Sequence, residues 1–395
     1  MSNGVTGGVP RSADPKSIRF WNEQLVIDVM RNQGEPLRIA QLADMTGLTP
    51  ASLGHLLRGL EAKGWVEASG SPERRRGRPA QLYSLVRPKG CVIGIDFGAQ
   101  MSRIVSIDML GAELGRAEIP VDEHVDGDYR AISRRVLDEV VPEGSGPVWA
   151  VGVSLSGETH QRTLLDGSAS DTNEQVTALR EELRARGLHD DIIEVWDSHA
   201  AALAAQRIDM DARSRAMLYL HLDRTPKLCA VTERGVYVGA HGRAGLMHGQ
   251  RFESISDGFG NPQSSLELAY SEAFDQIEQA VAGDAEALSA VKAYLAAAGP
   301  KIGFVAAVMD PKVVVVGGAL SSLRDTVLPA VKEAIEMHTG YPANVVDSGL
   351  DEFGVALGSA FMAWQKAFNL LISYDAGAQE FSAEQVHKLW AEQAG

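Results

Sequence analysis

Cysteine is nearly absent from this 395-residue chain. Cys91 and Cys229 are the only two, too few for a disulfide framework, and a cysteine-built zinc site would need other ligand types. Uncharged apolar runs of the roughly 18 residues that a membrane span requires are missing. The stretch Met1–Ser17 has no apolar run behind a basic start, so it does not read as a secretory signal. These absences argue against a membrane and make the cytoplasm the expected compartment. What is there is ordinary for a globular protein, with 45% hydrophobic and 23% charged residues. The length exceeds the roughly 250 to 300 residues at which single cores stop growing, so two or three domains are expected.

The net charge of −15 argues against nucleic acid until it is divided along the chain. Residues 1–90 hold 13 Lys and Arg against 8 Asp and Glu, a surplus of 5, and the remainder holds 24 against 44, a deficit of 20. A small basic head on a large acidic body is the pattern of a tethered nucleic-acid module.

Residues 1–15, rich in Gly, Ser and Pro, are expected to be disordered. From Lys16 the spacing of Phe20, Trp21, Leu25, Val26 and Val29 predicts a helix that ends before Gln33-Gly34-Glu35-Pro36. A short helix, Ile39 to Met45, is closed by Thr46-Gly47-Leu48. Thr49 as N-cap and Pro50 in the first helical position then start a third. Its Leu53, Leu56, Leu57 and Leu60 would face inward, leaving Ser52, His55 and Arg58 outward beside small Ala51 and Gly54. That outward face is either the solvated side of a three-helix bundle or the groove-reading side of a helix-turn-helix. The next residues favour the second reading. Two β-prone runs, Lys63–Ala68 and Gln81–Val86, flank a loop containing Arg74, Arg75, Arg76 and Arg78, and such an arrangement reads as a wing. Arg76-Gly77-Arg78-Pro79 could lie in a narrow minor groove, where the negative potential is deepest.

Beyond Gly90, strands and helices alternate. Cys91–Asp96, Arg103–Asp108, Val148–Ser154 and Ile192–Trp196 read as strands, the last leading into a helix over Ala200–Gln206. A second series follows: Ala216–Leu222, Leu228–Thr232, Gly235–Val238, a helical stretch from about Ser264 to Ala298, and the strand Val313–Val316 before Gly317-Gly318. Two α/β units in tandem predict a bilobed body with a cleft. Ser382-Ala-Glu-Gln385 is a capping-box pattern ahead of Val386, Leu389 and Trp390, a short amphipathic helix whose apolar face would pack on the body or on a second copy.

From about Ser17 to Trp364 the chain resembles the ROK family (repressor, open reading frame, kinase): sugar kinases of the actin-like ATPase fold, and regulators that add a winged helix-turn-helix. In the head the likeness rests on Asn22 through Leu25, Leu42-Ala-Asp-Met-Thr-Gly-Leu48, Leu60-Glu-Ala-Lys-Gly-Trp-Val66 and Gly77-Arg78-Pro79. In the body it rests on Gly94-Ile-Asp96-Phe-Gly98, Asp197-Ser-His-Ala-Ala-Ala202, Gly239-Ala-His-Gly-Arg-Ala-Gly245 and Val313-Val-Val-Val-Gly-Gly318. The resemblance implies an α/β fold with an N-terminal winged helix-turn-helix over residues 16–88. Lobe I would take residues 89–205 and 362–395, and lobe II residues 206–361.

The departures from the kinase pattern matter as much. Ala99 and Gln100 stand where the kinases need a Gly-Gly-Thr turn, and Asp223-Arg-Thr-Pro226 stands for their Gly-Thr-Gly loop. Backbone N–H donors for phosphate are lost at both, although Arg224 and Lys227 remain cationic. The three zinc cysteines of the family become Gly258, Gly260 and Ser265, so no metal is expected. In the sugar pocket Trp196, Leu246 and Gly249 replace polar residues while Asp197 and Glu267 remain. Asp197 reads either as a ligand contact or as a cap for the following helix.

The sequence thus predicts a transcription regulator, a repressor, with no catalytic residues, cofactor or metal. DNA contacts are expected from Thr49, Ser52, His55, Arg58, Arg74, Arg75, Arg76 and Arg78, on an inverted-repeat operator held by a homodimer or a dimer of dimers. A sugar or sugar-derivative effector would meet Trp196, Asp197, His199, His248 and Glu267. The alternatives are a sugar kinase with residual activity and a ligand-independent regulator whose body only dimerises.

Overall fold

In the computed structural model of the chain the described residues are 15–70, 81–86, 90–98, 101–120, 129–140, 146–155, 174–188, 190, 192–208, 216–222, 227–232, 235–240, 244–245, 273, 275–373, 386 and 388. The first of these form a head of three helices, α1 (Pro15–Gln33), α2 (Ile39–Thr46) and α3 (Pro50–Ala62), followed by β1 (Val66–Gly70) and β2 (Gln81–Leu85). α2 ends on Gly47 at φ 71°, a left-handed turn that a side chain would strain. Thr49 caps α3 by accepting the Ser52 N–H at 3.2 Å, and Pro50 occupies the first position, where its missing N–H costs nothing. Leu53, Leu56, Leu57 and Leu60 are buried, as their spacing predicts. β1 and β2 pair antiparallel from Val66 with Leu85 to Gly70 with Gln81, and Leu37 bridges to Tyr83.

The body holds two five-stranded sheets. In the first, β3 (Cys91–Phe97), β4 (Met101–Asp108), β5 (Glu113–Pro120), β6 (Val148–Leu155) and β7 (Ile192–Trp196) lie in the order β5-β4-β3-β6-β7. The β3-β4-β5 meander is antiparallel, and β6 and β7 join parallel. The second sheet repeats this plan with β8 (Met217–His221), β9 (Lys227–Thr232), β10 (Gly235–Val236), β11 (Val313–Gly317) and β12 (Val345–Asp347), ordered β10-β9-β8-β11-β12. One topology used twice is what the tandem α/β reading predicted.

Side-chain alternation shows how the sheets are stacked. In the first, Cys91, Ile93 and Ile95 pack under α4 (Tyr129–Val140) and α5 (Glu174–Ala185). In the second, Leu218, Leu220, Val314 and Val316 pack under α7 (Ile277–Val281), α8 (Ala285–Met309) and α9 (Arg324–Thr339). Met217, Tyr219, Val313 and Val315 turn the other way, toward Ala201, Ala202 and Ala205 of α6 (Asp197–Ile208). α10 (Gly354–Ser373) covers the remaining face of the first sheet, beside Val92 and Val105. α6 and α10 therefore form a middle layer between the sheets, and the order is helices, sheet, helices, sheet, helices.

That middle layer is thin because its contact residues are small. A Cβ at Gly94 would lie 2.0 Å from the Ala356 carbonyl oxygen, one at Gly152 would lie 2.0 Å from that of Ser359, and one at Gly358 would lie 1.8 Å from that of Ala200. Backbone thus meets backbone at three places around α10. α8 and α10 have the length and composition of a membrane span, but each carries Lys (Lys292 and Lys301; Lys366) and is packed on a sheet.

The head that the charge asymmetry marked is packed against the body. Val26, Leu57, Trp65 and Tyr83 belong to the same buried cluster as Trp364, Phe368 and Leu371 of α10, and Val386 lies in it as well. Residues 1–14, and most of the capping-box segment around Ser382, lie outside the described residues.

Gly358→Ala should destabilise the chain by about 3 kcal/mol, because α6 must move to admit one carbon. Gly54→Ala, whose new carbon meets nothing closer than Arg58 Nη1 at 3.7 Å, should be neutral or stabilising by up to about 1 kcal/mol. Denaturant unfolding of both variants checks the pair, and equal midpoints would contradict it.

Candidate nucleic-acid interface and inter-lobe cleft

On the head, the α2–α3 turn sets the geometry. The Thr49 cap fixes where α3 begins, so Ala51, Ser52, His55, Arg58, Glu61 and Ala62 fall on one exposed side. Thr49 Oγ1 also lies 2.9 Å from Ser52 Oγ, so these two hydroxyls meet each other at the tip of the helix. The structure brings Thr49, Ser52, His55 and Arg58 together on one face. Arg74, Arg75, Arg76 and Arg78 lie outside the described residues, which include the two wing strands on either side of them. Lys63, part of the basic segment after α3, is buried and faces the body rather than a groove.

In the body, the carboxyl ends of the central strands open on a cleft, as expected of α/β sheets. A cavity of about 490 Å3 is lined by Asp96 and Arg103 of the first sheet, Ala201 of α6, Tyr219 and His221 of β8, and Gly318, Ser321 and Arg324 after β11, with Asp347, Asp351 and Glu352 completing the wall. Carboxylates outnumber guanidinium groups there, and Arg103 is already paired with Glu118 at 2.8 Å. Trp196, Asp197 and His199, the described members of the predicted effector set, are not among the residues lining this cavity, although Ala201 of the same helix is. His248 and Glu267 lie outside the described residues, as do Ala99, Gln100, Asp223 to Pro226 and the three positions that replace the zinc cysteines.

Asp197 is the first residue of α6, and its Oδ1 accepts the adjacent Ser198 N–H at 2.6 Å. Its carboxylate is also gripped by Lys227 at the start of β9, whose Nζ stands 2.6 Å from Oδ1 and 2.5 Å from Oδ2. The sequence had marked Lys227 only as a leftover phosphate cation, and the pairing escaped it because the two residues are 30 positions apart on different elements. Burial would raise the Asp197 carboxyl, but Lys227 and then His221 outweigh it and hold the group below the usual carboxylate range. An ionised carboxylate with both oxygens bound to an ammonium is a poor proton acceptor.

His199, in the same turn, is buried with Nε2 3.3 Å from the Ala244 carbonyl oxygen, and burial lowers its pKa, so the ring is neutral and donates there. Trp196 is buried as well, at 6% exposure, closer to a filler than to an open stacking platform. Cys229 lies in the same core, and burial pushes its thiol up to about 12, which leaves it unreactive near neutral pH.

A helix-turn-helix with β1 and β2, docked on a twice-repeated α/β body with a cleft between its sheets, defines the class: a DNA-binding type of head on an actin-like body. Residues 25–70 match the IclR helix-turn-helix domain family. The solved structure of a ROK family transcriptional regulator, a homologue of the E. coli MLC protein, superposes with a TM-score of 0.65 at 17% identity, covering 90% of this chain and 98% of that one. Two kinases superpose over 70% of this chain at 19% identity: a ROK hexokinase from Thermus thermophilus (TM-score 0.53, 99% of that chain) and a ROK family glucokinase from Streptomyces griseus bound to glucose and AMPPNP (TM-score 0.54, all of that chain). No curated protein matches by sequence. The chain therefore has the fold of the ROK transcription regulators, a helix-turn-helix head on a body that the ROK kinases share.

Lys227→Met should strand a buried carboxylate and cost about 3 to 5 kcal/mol of stability. Adding Asp197→Asn should recover most of that loss. Because the folded-state value of Asp197 is depressed, the pair's stabilisation is full above the unfolded value of about 3.9 and is lost as pH falls through the lower folded value. Unfolding curves between neutral and acid pH should show this limb in the native chain and lack it in the double variant; an identical acid limb in both would refute the assignment.

Proposed function

We propose that this protein is a cytoplasmic DNA-binding transcription regulator, a repressor, whose kinase-like body carries out no phosphoryl transfer and answers to a sugar or sugar-derivative effector. The observation that carries the reading is the exposed face of α3, where Ser52, His55 and Arg58 follow a capped turn and stand beside a wing whose loop holds four arginines. Side chains on such a helix read base edges in the major groove, while loop arginines bind phosphate and the minor groove. Two heads in a homodimer fit an inverted repeat. An effector could bind in the cleft, and it would act only by preferring the DNA-competent or the incompetent arrangement.

Loss of catalysis is the reading that the Asp197–Lys227 pair favours. Asp197 stands in a segment that resembles the one bearing the catalytic aspartate in the kinases, and here Lys227 occupies both its oxygens. The replaced phosphate loops at Ala99-Gln100 and Asp223–Pro226 point the same way. Residual sugar-kinase activity is the competing reading, and the likeness of the body to sugar kinases is what favours it. ATP turnover over a panel of sugars, abolished by Asp197→Asn, would decide for the kinase.

A salt-controlled gel-shift titration on the DNA upstream of the chain's own gene tests the regulator. Arg58→Ala should weaken specific binding by about 1 to 3 kcal/mol, and Arg78→Ala should do likewise while lowering the salt slope by about one. Sugars, sugar phosphates and ATP added to the same titration test the effector. Unchanged affinity in both variants would remove α3 and the wing from the mechanism.

A further inference from the structure

Lys63 closes α3, and its ammonium points inward. It is buried, bonds Glu23 of α1 at 3.1 Å and donates to the Ile372 carbonyl oxygen at 3.0 Å. That oxygen belongs to the last described turn of α10. The C-terminal end of the groove-reading helix is thereby tied to the C-terminal end of the body's central helix. Three further contacts cross the same seam: Gln24 bonds Asn369, Trp65 meets Phe368 edge-on at 5.3 Å, and the Arg31 guanidinium lies 5.0 Å from the centre of the Trp364 ring.

The other end of α10 reaches the cleft. Gly354 and Val355 line the cavity, and Gly358 packs on the carbonyl of Ala200, one turn into the helix that Asp197 begins. The same helix, α6, sends Arg207 from its last turn over the Trp364 ring at 5.1 Å, so α1 and α6 both reach one indole. Trp364 in turn donates its Nε1–H to the Met109 carbonyl at 2.8 Å, anchoring it to the first sheet. At about 1.5 Å per residue, the 20 residues of α10 span about 30 Å.

The geometry points to α10 as a rigid strut that sets the orientation of α3 relative to the cleft, with Lys63 as the positioning residue that fastens α3 to it. Backbone-to-backbone packing at Gly94, Gly152 and Gly358 leaves α10 no room to slide in small steps, so a change at the cleft moves it as a unit or not at all. Lys63 carries that position to the head, because a buried ammonium with two oxygen partners cannot be pulled off them without exposing a charge or leaving it unpaired. This inference rests on the DNA-binding reading, and its consequence is that the relative placement of two heads is fixed by the bodies rather than by a flexible linker.

The test uses the full chain and duplexes carrying one half-site, or two half-sites at varied spacing. Lys63→Met leaves Glu23 its partner Arg19 at 2.9 Å, so the head should still fold. Expected are half-site affinity unchanged within about twofold, loss of the native spacing preference by about tenfold or more, and faster hydrogen exchange in both α1 and the last turn of α10. Lys63→Arg should restore the preference in part. An unchanged spacing profile with unchanged exchange overturns the strut. So does a loss of half-site affinity as large as the loss on paired sites, since Lys63 would then serve only the head's own fold. If the native chain shows no sequence-specific binding, the DNA reading fails and exchange alone judges the strut. Should Lys63→Met not fold, Asn369→Ala and Arg31→Ala are read by the same measurements.

Discussion

The whole body depends on how closely α10 can approach its neighbours. Two twisted sheets share one layer of two helices, and that layer has to satisfy both at once. Small residues make this possible: Gly358 against Ala200 on one side, Ala356, Ser359 and Ala360 against Gly94 and Gly152 on the other. Interiors are packed as densely as organic crystals, so helices that touch at backbone distance transmit displacement instead of absorbing it. The outer layers are more ordinary, with Val, Leu and Ile of α4, α5, α8 and α9 filling wider gaps.

The same constraint explains why the head is part of the core. The second half of α10 offers Trp364, Phe368, Leu371 and Ile372, an apolar surface too large to leave in water. The head meets it with Trp65 on Phe368 and Arg31 over Trp364, and the polar seam around Lys63 and Glu23 gives that contact a single register. A purely apolar contact could rotate. A buried ammonium that must reach both a carboxylate on α1 and a carbonyl on α10 allows one docking angle.

Much of this was legible in the sequence, and the part that was not has a physical reason. The α2–α3 turn, the Thr49 cap and the inward leucines were readable because helix boundaries carry local chemistry and amphipathic helices carry a period. The central strands were readable as apolar runs. α10 was not, since it is apolar on nearly every side and so has no stripe to detect. β5 and β12 were missed because β5 carries Glu113, Arg116 and Glu118 among its apolar residues and β12 is only three residues long. The candidate site divides the same way. Asp197 stood out by its setting, whereas Lys227 read only as a remaining phosphate cation and Lys63 as the start of a β-prone run, because nothing local tells a buried lysine from an exposed one. Burial of a charge is decided by partners distant in sequence, here 30 and 40 residues away.

Those two lysines give the protein its character. An aspartate stands at the start of α6, and its ionised carboxylate needs a partner because a charge taken out of water is costly. Lys227 neutralises it from within the chain, with its ammonium on both carboxylate oxygens. Lys63 fastens the far end of the same helical layer to the head. Between them lie α6 and α10, packed carbonyl against glycine. Such a layer is suited to holding two distant surfaces, the cleft and the exposed face of α3, in a fixed relation.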